Sequence, residues 1–183
     1  AAAAKTAERA KTAASAAALL EEYDLPGLVP IVDNWIRSGL SLDESMLQLR
    51  DEKTDAGRIF DARFPAIKAR RLAGLNPISP AEYISYERQA RQLLKAAGMP
   101  AGFYDSREDF TNLLTGDVSI NELNQRITTG YAEVANAPKE VKEAFGEFFG
   151  PNADAALAAY FLDQTKAVPV LQAAIDQARV GGA

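Results

Sequence analysis

The sequence predicts an all-α protein, an irregular bundle of about eight to ten short helices. Serine followed three positions later by glutamate, the pattern of a helix capping box, occurs at Ser41, Ser79 and Ser119. Apolar residues recur every three or four positions, as at Leu123 and Ile127, which is the spacing of one helix face. No segment alternates apolar and polar residues in the manner of a strand.

The start of the chain is nearly saturated with alanine, and Leu19 is its first bulky apolar residue. Alanine has the highest helix propensity but offers little surface to bury. We therefore expect residues 1–24 to form a helical extension that projects or docks on another chain. Residues 25–183 are expected to form the helical bundle domain, with a sub-boundary near residues 74–80. Because the chain starts without Met, we expect it to be trimmed from a longer product.

Beyond the extension, proline and capping serine mark helix starts, whereas glycine marks helix ends. The predicted starts are at Ser41, Pro65, Ser79, Ser119 and Pro138, and the predicted ends are at Gly39, Gly98, Gly116 and Gly150. A last apolar face with Val168, Leu171 and Ile175 predicts a C-terminal helix. The short intervals between these signals indicate helices of one to four turns joined by tight turns.

The composition excludes several kinds of catalytic site. The 183 residues include no histidine and no cysteine. Their absence removes imidazole-based triads, thiol nucleophiles and the commonest zinc ligands. We therefore expect no enzyme activity, no cofactor and no metal site. The net charge of −5 gives no general attraction to nucleic acid, and no apolar run is long enough to span a membrane, so a soluble protein is expected.

One stretch in the first half of the chain is locally basic. Its cations, which are interleaved with two phenylalanines, are Arg58, Arg63, Lys68, Arg70 and Arg71. Such a set can bind phosphates. The favoured interpretation is that the cations lie on the solvated faces of two short helices that meet at Pro65, with the phenylalanines in the core.

An acidic turn formed by Asp105, Glu108 and Asp109 has the residue types of a metal site or a carboxylate pair. A helix start predicts the same residues, because Ser106 can cap the helix and acidic side chains in a first turn interact favourably with its dipole. We therefore expect a structural role for this turn.

Four aromatic residues are candidate contacts with other subunits. Trp35 follows a helix start, and a core position is favoured over a role as a partner anchor. Phe145, Phe148 and Phe149 are so close together that at least one must lie off the main apolar face of its helix. The surplus ring would contact another subunit, or all three would belong to a core between the last helices.

Two segments of the second half carry a family resemblance. They are SPAEYISYERQARQLLKAAGMPAGFYDSREDFTNLLTGDVSINELNQRI, residues 79–127, and VKEAFGEFFGPNADAALAAYFLDQTKAVPVL, residues 141–171. Their distinctive patterns are AGMP, GFYD, DVS-x-x-EL-x-x-R and AY-x-LD. In these patterns the chain resembles a family of helical virion proteins encoded by tailed bacteriophages of actinobacteria. Residues 35–64 resemble the same family more loosely.

The resemblance implies a virion structural protein of the tail or its tape-measure region, present in the host cytoplasm during assembly. It carries no catalytic residue to this chain. We expect a non-enzymatic subunit that packs against other virion proteins, as a homo-oligomer or within a multi-protein assembly. Two alternatives stay open: a DNA-contacting packaging or ejection accessory acting through residues 58–71, and a carboxylate-dependent cell-wall hydrolase, which requires two acids facing one cleft.

Overall fold

The predicted all-α fold class is confirmed. A computed structural model describes residues 2–181, and every regular element within these residues is a helix. The chain divides into two units, Ala1–Ile84 and Ser85–Ala183. The division falls a few residues after the expected sub-boundary, inside a helix.

The helices follow one another with short connections. The first five are α1 (Ala2–Glu22), α2 (Val29–Ser38), α3 (Leu42–Gln48), α4 (Asp55–Arg63) and α5 (Pro65–Leu72). The unit division lies within α6 (Pro80–Ala96). The remaining helices are α7 (Arg107–Thr115), α8 (Ile120–Asn136), α9 (Lys139–Phe149), α10 (Ala153–Leu162) and α11 (Gln164–Gly181). Two 3-10 turns, Pro26–Leu28 and Gly150–Asn152, precede α2 and α10.

The helix α1 is part of the first unit and packs against α2. Its buried face consists of Ala13, Ala16 and Leu20. The small alanine side chains let the two helices lie close together, and Leu20 supplies the bulk that fills the core. The expected extension over residues 1–24 is therefore not separate from the first unit, although residues 3–10 bury no side chain.

An aromatic cluster forms much of the core of the first unit. Phe64 is fully buried, and its ring contacts those of Tyr23, Phe60 and Tyr83 at centroid distances of 5.8, 5.1 and 5.4 Å. Phe64 is the residue between α4 and α5, where Pro65 starts the second helix. The backbone of Phe64 is not helical (φ −125°, ψ 55°), so the basic stretch is divided into two short helices at this residue.

The second unit is centred on the packing of α8 against α10. Gly130 of α8 lies so close to α10 that a Cβ atom at this position would be 2.8 Å from the carbonyl oxygen of Ala158. Leu123 and Ile127 on the same helix are buried. Phe103 from the turn before α7 joins a cluster with alanines of α10 and with Leu171 of α11.

Two of the three predicted capping boxes are complete. The Glu44 N–H donates to Ser41 Oγ at 3.2 Å and the Ser41 N–H donates to Glu44 Oε2 at 2.7 Å. The same pair of bonds joins Ser79 and Glu82. Ser119 caps α8 through the Glu122 N–H, but the Glu122 carboxylate accepts a hydrogen bond from Arg126 at 2.6 Å and the box is half formed.

Within the described residues, no helix has the length and apolar character needed to cross a membrane.

Candidate functional site

The five basic residues predicted as phosphate contacts do not lie together on one surface. Arg63 and Arg70 are buried, with 8% and 6% of their surface exposed. The Arg63 guanidinium lies 4.8 Å from the ring centroid of Phe64, and Arg70 Nε donates to the Asn76 carbonyl oxygen at 3.0 Å. Both side chains therefore stabilise the unit from within, and the interpretation that placed all five cations on solvated helix faces does not hold for Arg63 and Arg70.

The other three cations differ from one another in their surroundings. Arg58 pairs with Asp55 of its own helix and donates to the Lys53 carbonyl oxygen. Lys68 pairs with Glu52, and this hydrogen bond is the main reason that the pKa of Lys68 is raised. Arg71 is exposed.

Sequence reasoning missed Arg50, which lines a cavity together with Lys68 and Arg71. Arg50 lies between α3 and α4 and is separated from Lys68 by a whole helix, so no local pattern signals that they meet.

The acidic turn of the second unit has the structural role that helix capping predicts. Asp109 is 3% exposed, and its Oδ2 atom accepts hydrogen bonds from the Ser106 N–H at 3.2 Å and from the Ser106 hydroxyl at 2.6 Å. Its Oδ1 atom lies 2.5 Å from Lys166 Nζ. The carboxylate therefore caps α7 and ties it to α11.

We expect this ion pair to make the stability of the second unit pH-dependent. Burial alone raises the pKa of Asp109, but hydrogen bonds from Lys166 and Ser106 outweigh it and hold the pKa below the ordinary value of 3.8. A carboxyl group with a lowered folded-state pKa stabilises the protein above its unfolded-state pKa, and this stabilisation is lost as the pH falls through the folded-state pKa. Chemical unfolding between pH 7 and pH 2 measures the effect.

In the same measurement, Asp109→Asn is expected to lower the free energy of unfolding at pH 7 by about 1–3 kcal/mol and to flatten its dependence on pH below about 4. Asp105→Asn is the matched control, since this neighbouring half-buried carboxylate accepts the Gly102 N–H and forms no ion pair with any other described residue. An Asp109→Asn variant with the full acid dependence of the wild type would contradict the assignment.

Two of the segments that carry the family resemblance contact each other through a hydrogen bond. Tyr104 of GFYD donates its hydroxyl hydrogen to Asp163 Oδ2 at 2.6 Å, and Asp163 belongs to AY-x-LD. Burial and this hydrogen bond raise the pKa of Tyr104. The Asp163 Oδ1 atom also accepts the Lys166 N–H in the first turn of α11. These residues hold the turn before α7 against α11, so the patterns are structural.

The perturbed carboxyl groups do not have the properties of a general acid. Those with a displaced pKa are Glu44, Glu52, Glu82 and Asp109, and all four are displaced downward. A general acid at neutral pH needs a raised pKa. Among residues 2–181, no cluster of three or more acidic side chains is arranged to hold a metal ion.

The aromatic candidates are divided between core and surface. Trp35 is half-buried. Phe145 and Phe149 are half-buried and lie 5.6 Å apart between ring centroids, and Phe145 also contacts Tyr160 of α10 at 6.2 Å. Phe148 is 56% exposed. It is therefore the ring that lies off the packed face.

The helix α9 presents two parallel rows to solvent, and none of its residues is fully buried. Val141, Ala144 and Phe148, spaced as i, i+3 and i+7, form what we call the apolar row, and all three are exposed. Each is preceded by a glutamate, so that Glu140, Glu143 and Glu147 form an acidic row beside it. The opposite flank of the apolar row is the side that packs against α10 through Phe145 and Phe149.

Most of the negative charge of the acidic row is not compensated by ion pairs. Glu143 forms an ion pair with Lys139 at 3.0 Å, but both side chains are well exposed, and such pairs contribute little. Glu140 and Glu147 make no ion pair with any residue in the described part of the chain. The exposed surface of α9 is thus apolar along one line and negative along the next.

Comparison of this chain with protein-family models, with curated proteins and with solved structures returned no match.

Proposed function

We propose that this chain is a non-enzymatic structural subunit of a tailed-phage particle, placed in the tail and held there by helical packing. The observation that carries the proposal is the exposed apolar row of α9, formed by Val141, Ala144 and Phe148. The resemblance of residues 79–127 and 141–171 to virion proteins supports the setting. The absence of histidine and cysteine from the sequence supports the non-enzymatic part.

The apolar row is suited to contact another helix. Three exposed apolar side chains over two turns match the i, i+3, i+7 anchors by which helices dock. Covering Phe148, which is 56% exposed, contributes roughly 1–2 kcal/mol of association free energy. Ala144, between Val141 and Phe148, leaves room for a partner backbone or a large side chain to approach. Several such contacts within a particle add through multivalency.

The charge beside the row selects the kind of partner. In a symmetric antiparallel pair of α9 helices, equivalent flanks face each other, and the acidic row would meet its own copy. Like charges in close apposition are unfavourable, so self-association through α9 is disfavoured. The partner that fits is a helix of a different virion subunit, with an apolar stripe flanked by Lys or Arg.

The alternative of DNA contact through residues 58–71 is less favoured. Two of its five cations, Arg63 and Arg70, are buried, and Arg58 and Lys68 are paired with carboxylates. Phosphate binding by a surface needs several free cations along one line.

We expect Phe148→Asp to prevent incorporation of the chain into particles. A carboxylate in the apolar row adds a fourth negative charge and cannot be buried against a helix without a large desolvation cost. The measurement is the amount of this chain in purified particles, by quantitative mass spectrometry, after infection of cells that supply the variant in place of the wild type. At least a tenfold decrease is expected.

Val168→Asp is the matched control, because Val168 is 48% exposed on α11 of the same unit and lies outside the apolar row. Both variants are expected to keep the free energy of unfolding within about 0.5 kcal/mol of the wild type. Normal incorporation of Phe148→Asp, or an equal loss for Val168→Asp, would rule out the apolar row as the contact.

A further inference from the structure

The first unit contains a cavity of about 310 Å³ whose wall combines cations with apolar side chains. The apolar part of its wall is formed by Phe60, Ile67, Pro77 and Ile78. The polar part is formed by Arg50, Asp61, Lys68, Arg71 and Ser79. Small-molecule sites have volumes of roughly 300–1,000 Å³, so this cavity suits a compact ligand.

Three cations and one carboxylate line the cavity, and Lys68 and Arg71 also interact with Glu52, which is not part of the lining. Lys68 pairs with Glu52 and lies 3.9 Å from Asp61, so its charge is largely compensated. Arg50 and Arg71 make no hydrogen bond or ion pair from their side chains to any other described residue. Two guanidinium groups with unused donors therefore border one concave surface.

Free guanidinium groups set the chemistry of the ligand. Each presents a planar fork of N–H donors that matches the oxygens of a phosphate group. Arg50, Lys68 and Arg71 all line the same cavity, so an anion bound there lies among these cations. The adjacent wall of Phe60, Ile67 and Ile78 offers contact to an apolar group.

We propose that this cavity binds a small organic phosphate, with the phosphate on Arg50 and Arg71 and a compact apolar or aromatic group against Phe60, Ile67 and Ile78. The site is independent of the apolar row of α9, because it lies wholly in the first unit. A ligand here would fasten the segment before α4 to α5, since Arg50 belongs to the first and Arg71 to the second.

Titration calorimetry of the whole chain with phenyl phosphate tests the site. We expect saturable binding of one molecule per chain, which weakens as salt is added because the contact is ionic. Inorganic phosphate is expected to bind at least tenfold more weakly, since it makes no apolar contact, and benzyl alcohol is expected to give no heat of binding.

The double variant Arg50→Gln with Arg71→Gln is expected to lower the affinity for phenyl phosphate at least tenfold. The matched control is Arg37→Gln with Arg58→Gln, because these exposed arginines of the same unit do not line the cavity and pair with carboxylates of their own helices. Circular dichroism confirms that each double variant is folded. Absence of saturable binding to the wild type, equal affinity for inorganic phosphate, or an equal loss in the control would overturn the proposal.

Discussion

Replacing Phe64 by alanine is expected to lower the free energy of unfolding of the first unit by about 3–5 kcal/mol. The ring is fully buried and contacts three other aromatic rings, those of Tyr23, Phe60 and Tyr83. Its removal takes away apolar contact and leaves a cavity that the three remaining rings, each held in a different segment of the chain, cannot close. It also removes the surface on which the Arg63 guanidinium lies.

Denaturant unfolding followed by near-ultraviolet circular dichroism measures this change, because the cluster contains Tyr23 and Tyr83. Phe148→Ala is the control for loss of a phenylalanine at an exposed position, and it is expected to change the free energy of unfolding by less than about 0.5 kcal/mol. A Phe64→Ala variant as stable as Phe148→Ala would show that the aromatic cluster is not the core of the first unit.

Gly57→Ala is expected to destabilise the first unit by about 3 kcal/mol or more. A Cβ atom at this position would lie 1.9 Å from the Asp51 carbonyl oxygen and 2.5 Å from its carbonyl carbon. Both are backbone atoms, so no side-chain rotation relieves the clash. The loop from Asp51 to Thr54 would therefore have to move. This loop is also held to α4 by the Thr54 hydroxyl, which accepts the Gly57 N–H at 2.9 Å. The higher helix propensity of alanine offsets only about 1 kcal/mol of this destabilisation.

Gly27→Ala is the matched control in the same unit, because a Cβ atom there would have no neighbour within 4 Å. Thermal unfolding of the two variants measures the difference. We expect a midpoint lowered by at least about 10 °C for Gly57→Ala and little change for Gly27→Ala. Equal midpoints would mean that the Asp51 to Thr54 loop does not pack on α4 as described.

The parts of the fold that depend on local chemistry could be predicted from the sequence. The capping boxes at Ser41 and Ser79 form because their partners lie three residues away on the same chain segment. Ser119 forms only half a box, since Arg126 one turn later competes for Glu122. Such competition between two local partners is not decided by the spacing alone.

The parts that depend on contacts distant in sequence could not be predicted. In the sequence, Arg63 and Arg70 cannot be distinguished from exposed arginines by residue type or spacing. They are structural because the Arg63 guanidinium lies over the Phe64 ring and Arg70 donates to the Asn76 carbonyl oxygen. Arg50 lines the cavity because the chain after α3 passes beside it. For α9, the crowding of three phenylalanines indicated a surplus ring, but the packing of α10 decides that it is Phe148.

Photocrosslinking from position 148 in intact particles tests the central claim most directly. A benzophenone amino acid replaces Phe148 during assembly, particles are purified and irradiated, and cross-linked peptides are identified by mass spectrometry. The same amino acid at Val168 serves as the control position. We predict that position 148 links to a helix of a different virion protein bearing Lys or Arg beside its apolar residues, and that position 168 does not. Absence of this chain from purified particles, or a link from position 148 only to another copy of the same chain, would contradict the account.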